Sequence, residues 1–437
     1  MVFIVALVVL VTAVLGLANP FIGLMGLLVV NLTQPGEIYP IFNTLHIERV
    51  MTLLVLVSFL AKFRKFELPE ISRKLLFFWG VMFLSIPLAF WPAFAFSSAF
   101  DFGKIVLLHL LLANLIRTPE QFQKYLTVYT LIIGWLAGSS LYLHRQGVVM
   151  YQNDPDRAAG LTSAVGDPNT LGLMLVTALP FVLLTLTSSF PKWMRLVGLT
   201  VGAVAVWVVV VTSSRTSFFC LVFAAVLFTL TRKHGLFLIP IAAVLVVIGW
   251  NVLPDQYRQR YMSVENLDKD ESYQNRVRAW QAGMAMFRDN PLTGVGPRNF
   301  TYANGGKYWP GPGRAVWLNA HSLYFQLPAE LGLFGIVTFL MYLTAIFRTN
   351  IRFRREFKAR SDLPSGMRGF PLAAMISLAT WLLAGYSSHC LYRGGWYTVG
   401  GLTAALTLIM MRMQQPVAEP VPAPEALDGA GIAPVEN

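Results

Sequence analysis

The chain has 437 residues, of which 55% are hydrophobic and only 13% charged, with a net charge of +12 and a mean hydropathy of +0.58. A soluble enzyme of this size would carry roughly twice that charge, so a water-soluble globular class is excluded and a polytopic membrane protein is indicated. Nucleic acid is not the partner that the positive charge implies, because Lys and Arg concentrate in short loops between apolar runs, as in membrane proteins with cytoplasmic basic loops.

Apolar runs long enough to span a bilayer, or nearly so, fall at 2–17, 20–33, 48–61, 75–91, 103–116, 126–143, 169–188, 195–212, 216–231, 235–252, 321–347, 370–388 and 395–412. This predicts an all-α fold with twelve or thirteen transmembrane helices. The first run lacks a basic leader and passes through Asn19 and Pro20 straight into the second, so it reads as retained rather than as a signal peptide.

Basic clusters occur around 62–74, 117–124, 192–195, 232–233 and, densest, 348–360. They sit in alternate loops, which assigns those loops to the cytoplasm and the others to the opposite side. The long loop 253–320 also holds several arginines, but loops above about 60 residues escape that rule, so its arginines need another explanation. Residues 1–145 read as N-terminal transmembrane helices and 146–412 as a catalytic module that includes this loop with its short helices. The Pro-, Ala- and Glu-rich stretch 413–437 reads as a disordered cytoplasmic tail.

The polar residues on the non-cytoplasmic side are dominated by arginine: Arg145, Asp154, Asp156, Arg157, Asp167, Asn169, Arg215, Arg276, Arg278, Arg298, Arg314, His321, His389 and Arg393. Arg215 lies in a hairpin so tight that two apolar helices meet within a few residues. A charge there is costly unless it is paired or reaches water, so it is either functional or a plain interfacial arginine that snorkels to headgroups. The hydroxyls of Thr212, Ser213, Ser214 and Thr216, with the free N–H groups of the next helix, suit an anion. From Ser272 onward, Val277, Trp280, Met284 and Phe287 recur at helical spacing, which predicts an amphipathic helix ending before Asn290 and Pro291. Arg276 flanks that stripe, whereas Arg278 lies nearly opposite it. His321 opens a long apolar helix at a water-facing ledge, the position of a general base or of a plain interfacial histidine. His109 and Glu330 read as structural, and DPD at 154–156 is the closest approach to a metal motif. Walker A, HExxH and nucleophile-elbow patterns are absent.

Arg276 to Trp280, then DNPLTGVGPRNF, then AHSLYFQLPAELGLFG, following the SSR turn at 213–215, resemble the shared C-terminal module of the O-antigen ligase and O-antigen polymerase superfamily. The stretch from Arg157 to Leu175, with its Asp167 and Asn169, is similar to the upstream part of that module. One departure is Ser322, where Asn frequently follows the histidine. The resemblance implies a bacterial inner-membrane glycosyltransferase of the GT-C kind. Such an enzyme transfers a glycan from undecaprenyl diphosphate to a glycolipid or glycoprotein acceptor at the periplasmic face, without metal or cofactor. It implies that Arg215 and Arg276 bind the diphosphate and that His321 activates the acceptor hydroxyl. Arg157, Asp167, Asn169, Arg278 and Arg298 are the further candidates for substrate binding. A polymerase of the same superfamily, or a flippase for lipid-linked oligosaccharides, are the alternatives.

Overall fold

A computed structural model describes residues 2–63, 65–148, 157–163, 165–231, 258, 271–311 and 315–414. The expected span at 235–252, Asp154, Asp156, Arg314 and the tail beyond Gln414 lie outside the described residues. Thirteen main helices are described: α1 (Val2–Ala18), α2 (Pro20–Thr33), α3 (Ile47–Phe63), α4 (Glu70–Leu84), α5 (Pro92–Leu115), α6 (Pro119–Arg145), α7 (Pro168–Val182), α8 (Lys192–Val211), α9 (Arg215–Leu230), α10 (Glu271–Asp289), α11 (Leu323–Glu356), α12 (Ser365–Ala384) and α13 (Gly394–Gln414). Among the described residues there is no strand, and the chain is an all-α polytopic membrane protein.

Several helix starts follow from local chemistry. Proline opens α2, α5, α6 and α7, where its missing N–H costs nothing. Asn19, Thr118, Asp167 and Ser214 accept hydrogen bonds from the first free N–H groups of the helices they precede.

Twelve or thirteen spans are expected from the sequence, one of which, at 235–252, lies outside the described residues. Among the described residues, eight helices, α4 to α8 and α11 to α13, are long and apolar enough by length and composition to cross a membrane. α1, α2 and α9 have 17, 14 and 16 residues, which at about 1.5 Å per residue falls short of a hydrocarbon core of about 30 Å. α3 has 17 residues but carries Glu48, Arg49 and Lys62 at its ends. In contrast, the short run at 103–116 belongs to a 24-residue helix, α5, because Asp101 and Lys104 neutralise each other at 3.0 Å and let the helix extend back to Pro92.

The two ends of the bundle are held together by different chemistry. At the basic end, Glu67 bridges Arg117 at 3.7 Å and Arg412 at 2.6 Å, and Ser189 pairs with the Ser365 and Gly366 turn. At the other end backbone links also join the segments: Phe90 N–H to Val295 C=O, Ala158 N–H to Val211 C=O, and Leu323 N–H to Gly385 C=O. α7, α9, α11 and α13 are among the helices that begin at that second end, so their positive termini point toward it.

α11 is broken at Gly332, whose φ of 59° is open to glycine. The break admits the turn after α10. Val295 and Gly296 N–H groups donate to Ala329 and Glu330 C=O, and Leu333 and Phe334 N–H groups donate to Pro291 and Leu292 C=O. A small second core of Ala279, Ala282, Met286, Val295, Phe300, Ala303, Ala320 and Ala329 then seats α10 against α11. The buried side of α10 is therefore Ala279, Ala282, Gly283 and Met286, not the expected stripe, and Met284 is exposed. Small residues face the helix because the aromatic ring of Phe300 comes within 3.0 Å of the space a Cβ on Gly283 would fill. Trp280 sits at the margin instead, stacked on Phe325 at 5.2 Å.

Candidate active site

At the end where the four helices begin, a cavity of about 850 Å³ opens into the bundle. It is polar at the mouth and apolar deeper down, where Leu28, Leu108, Leu126, Met174, Phe181 and Leu402 contribute to its walls. Its polar part collects residues from four separate stretches of chain.

The first stretch, 157–170, delivers Arg157, Asp167 and Asn169. Arg157 is buried, and its Nε and Nη2 donate to Thr212 O at 3.0 Å and Asn169 Oδ1 at 3.2 Å. Asp167 caps α7: its two carboxylate oxygens accept from Asn169 N, Asn169 Nδ2, Thr170 N and Thr170 Oγ1. With both oxygens so engaged, Asp167 positions the loop and adds one negative charge to the wall. The second stretch is the α8–α9 hairpin, where Ser213 takes a left-handed φ of 52° and Arg215 opens α9. The third joins α10 to α11. Trp280 Nε1 donates to Ala320 O at 3.0 Å, so the helix that carries Arg276 is tied to the residue next to His321. The fourth, the turn between α12 and α13, carries His389 and Arg393. It is anchored by Thr216 Oγ1 to Ser387 Oγ at 2.7 Å and by Arg393 Nη2 donating to Thr170 Oγ1 at 3.2 Å.

Four arginines, Arg157, Arg215, Arg276 and Arg393, thus line the cavity against one aspartate. Added to the helix termini, this makes the mouth strongly electropositive and suited to a multiply charged anion. Burial is the main reason that the His321 imidazole is pushed down to about 4, with the Arg276 charge adding to the effect and Asp167 opposing it. This is well below the ordinary imidazole value of about 6.5 to which the sequence alone points. A neutral imidazole beside fixed positive charge can take a proton from a hydroxyl without first having to lose one. Its own backbone is held at φ 44° and lies two residues before α11.

Two candidates fall elsewhere. Arg278 projects from the other side of α10, with its guanidinium 5.9 Å from the Trp309 ring and a bond of 3.3 Å to Asn275 Oδ1. Arg298 is exposed on the loop, packed over Tyr392 at 5.2 Å, while its backbone N–H donates to Glu330 Oε2 at 2.9 Å. Neither lines the cavity. Glu330 is buried and bonded to Tyr392, Arg298 and Gln326, and both nitrogens of His109 are bonded, to Ser72 Oγ and Tyr397 O. Conversely, His389 and Arg393 join the site although no local pattern links them to Arg215 or His321. The available signal is a His and an Arg four residues apart in the short turn between the last two apolar runs.

The fold and the cavity together define a polytopic membrane protein with a pocket at one end of its bundle that is lined by four arginines and by His321 and His389. Residues 200–340 match the family model described as O-Antigen ligase, about a third of the chain, and the resemblance to that superfamily holds over this span. The span includes Arg215, Arg276 and His321 and ends before His389 and Arg393. Among curated proteins no match to the chain is found.

Proposed function

We propose that the protein is a glycosyltransferase that takes a glycan from undecaprenyl diphosphate and passes it to an acceptor hydroxyl at the periplasmic face of a bacterial inner membrane. The observation that carries this reading is the polarity of the cavity: arginines and helix termini at one end, largely apolar walls at the other. An amphiphile with a diphosphate head and a polyprenyl tail has the same polarity, and the family match over 200–340 supports the same class.

In this mechanism the acceptor oxygen attacks the anomeric carbon while the bond from that carbon to the diphosphate oxygen breaks. His321 takes the acceptor proton, and the electron pair of the broken bond leaves on undecaprenyl diphosphate. Arg215 and Arg276 stabilise that developing charge with planar, bidentate donors, and Arg157 and Arg393 extend the positive wall. A diphosphate leaving group needs charge neutralisation more than protonation, so guanidinium groups are sufficient for it and transfer proceeds without a metal ion.

The test is transfer by the purified protein from a defined undecaprenyl-diphosphate glycan. Glycan appearing on an acceptor with release of undecaprenyl diphosphate supports the reading, and elongated glycan still on the lipid would identify a polymerase. Passage of intact lipid-linked glycan across the membrane without bond cleavage would identify a flippase and overturn it.

A further inference from the structure

Glu330 is a buried acidic residue that the mechanism above leaves unused. It sits in α11 just before the break at Gly332 and is 1% exposed. Its Oε2 accepts from the Arg298 N–H at 2.9 Å and from the Tyr392 hydroxyl, and its Oε1 accepts from Gln326 Nε2 at 3.3 Å. Its backbone C=O accepts from the Gly296 N–H at 2.9 Å. One residue of α11 therefore grips the loop after α10 at two points and the turn between α12 and α13 at a third. A carboxyl inside a bundle is costly unless its oxygens are bonded, and here both are.

Both partners of Oε2 need holding. Arg298 takes a left-handed φ of 58°, which is uncommon for any residue but glycine, and the carboxyl engages its N–H there. Tyr392 comes directly before Arg393, whose side chain lines the cavity and donates to Thr170 Oγ1. The Tyr392 ring is fixed on two sides, by the Arg298 guanidinium at 5.2 Å and by Phe102 of α5, edge-on at 6.0 Å. Burial, and then the Glu330 carboxyl, hold the Tyr392 phenol well above its ordinary range, so it keeps the proton it donates. Neither Glu330 nor Tyr392 lines the cavity.

We infer that Glu330 and Tyr392 are positioning residues for the donor: the carboxyl takes the Tyr392 hydroxyl, and that bond sets the turn so that Arg393 meets the diphosphate. The inference rests on the glycosyl-transfer reading. The pair serves the donor side because the residue next to Tyr392 that reaches the cavity is an arginine. His389, three residues earlier, is held separately, by the bonds from Thr216 to Ser387 and from Trp396 Nε1 to Cys390 O.

The test uses the full chain in lipid nanodiscs, a defined undecaprenyl-diphosphate glycan as donor and the envelope fraction of the host cell as acceptor. Tyr392→Phe removes the hydroxyl and keeps the ring, and it is expected to raise donor KM about tenfold with acceptor KM unchanged. Glu330→Met, which leaves both Tyr392 and the Arg298 N–H without their acceptor, is expected to raise donor KM at least as far. Glu330→Gln, which keeps an oxygen for them, is expected to stay near the wild-type value. In an Arg393→Ala background, Tyr392→Phe is expected to raise donor KM no further, because the residue it positions is gone.

A pair that only stabilised the fold would lower the active fraction, so kcat would fall with donor KM unchanged; that result in Tyr392→Phe overturns the inference. So does an equal rise in acceptor KM, a further rise in donor KM when Tyr392→Phe is added to Arg393→Ala, or a Glu330→Gln donor KM as high as that of Glu330→Met. Each of these leaves transfer by the wild-type protein intact. Wild-type protein that releases no undecaprenyl diphosphate with any acceptor overturns the glycosyl-transfer reading itself, and the inference with it.

Discussion

At the level of single residues, the proposed mechanism separates groups that hold charge from a group that moves a proton. Replacing Arg215 or Arg276 by Ala is expected to abolish transfer while the protein still folds and inserts. Lysine is expected to rescue poorly, because a point charge does not reproduce a bidentate fork. Donor binding and turnover of the purified variants check this, and normal values in either alanine variant would remove that arginine from the diphosphate role. His321→Ala is expected to keep donor binding and to lose about 10²-fold or more in single-turnover transfer.

The pH dependence follows from the depressed imidazole. The neutral form is the base, and it is held down to about 4 by burial and then by Arg276, so kcat/KM is expected to stay flat from mildly acidic to neutral pH and to fall only near 4. Bound diphosphate brings negative charge next to the ring and favours its protonated form. The acid limb of kcat, which reports the donor complex, is therefore expected at higher pH than that of kcat/KM. A kcat/KM profile that breaks near 6.5 would mean that His321 is not held in the buried, arginine-flanked setting described above.

Among the elements, the joint between α10 and α11 sets the distance from Arg276 to His321. It consists of the break at Gly332, the loop backbone that pairs with it, and the bond from Trp280 to Ala320. A Cβ on Gly332 would lie 2.4 Å from the Leu292 carbonyl carbon, and the left-handed φ disfavours any other residue. Gly332→Ala is expected to cost about 1–3 kcal/mol of stability from backbone strain alone, with the steric contact adding to it. It is also expected to reduce transfer, because the two sides of the joint carry the two groups. Thermal unfolding and transfer rate measured on the same preparation check this; an unchanged rate in a destabilised variant would separate the joint from the chemistry.

For the whole molecule, orientation and charge source are the properties to test. The proposed function places the basic end in the cytoplasm and the cavity mouth in the periplasm, the orientation that the positive-inside rule favours. Single cysteines at the exposed Ser361 and Gln146 positions are expected to react with an impermeant maleimide from opposite sides of the membrane, in a background lacking the buried Cys220 and Cys390. Labelling of both from one side would overturn the two-ended arrangement. Transfer is expected to survive a chelator, since the positive charge at the mouth comes from arginines. Loss with EDTA and recovery with Mg²⁺ or Mn²⁺ would instead assign the charge to a bound cation.

The amino-acid sequence by itself determined the membrane class, most of the helices, their prolines and caps, and the presence of Arg215, Arg276 and His321 in one recognisable module. These are local properties, since hydropathy, helix start signals and loop charge are each written within some twenty residues. Only the tertiary structure decided which arginines share a cavity. Arg157 and Arg393 enter it through bonds to Thr212 and Thr170, 55 and 223 residues away in the chain, and no periodicity reports such a pairing. The same holds for α10, where Arg276 and Arg278 differ by two positions but flank the buried stripe on opposite sides. One lines the cavity and the other covers a tryptophan. The depressed imidazoles of His321 and His389 also belong to the folded state alone, because desolvation exists only once α7, α9, α10, α11 and the last turn have closed around them.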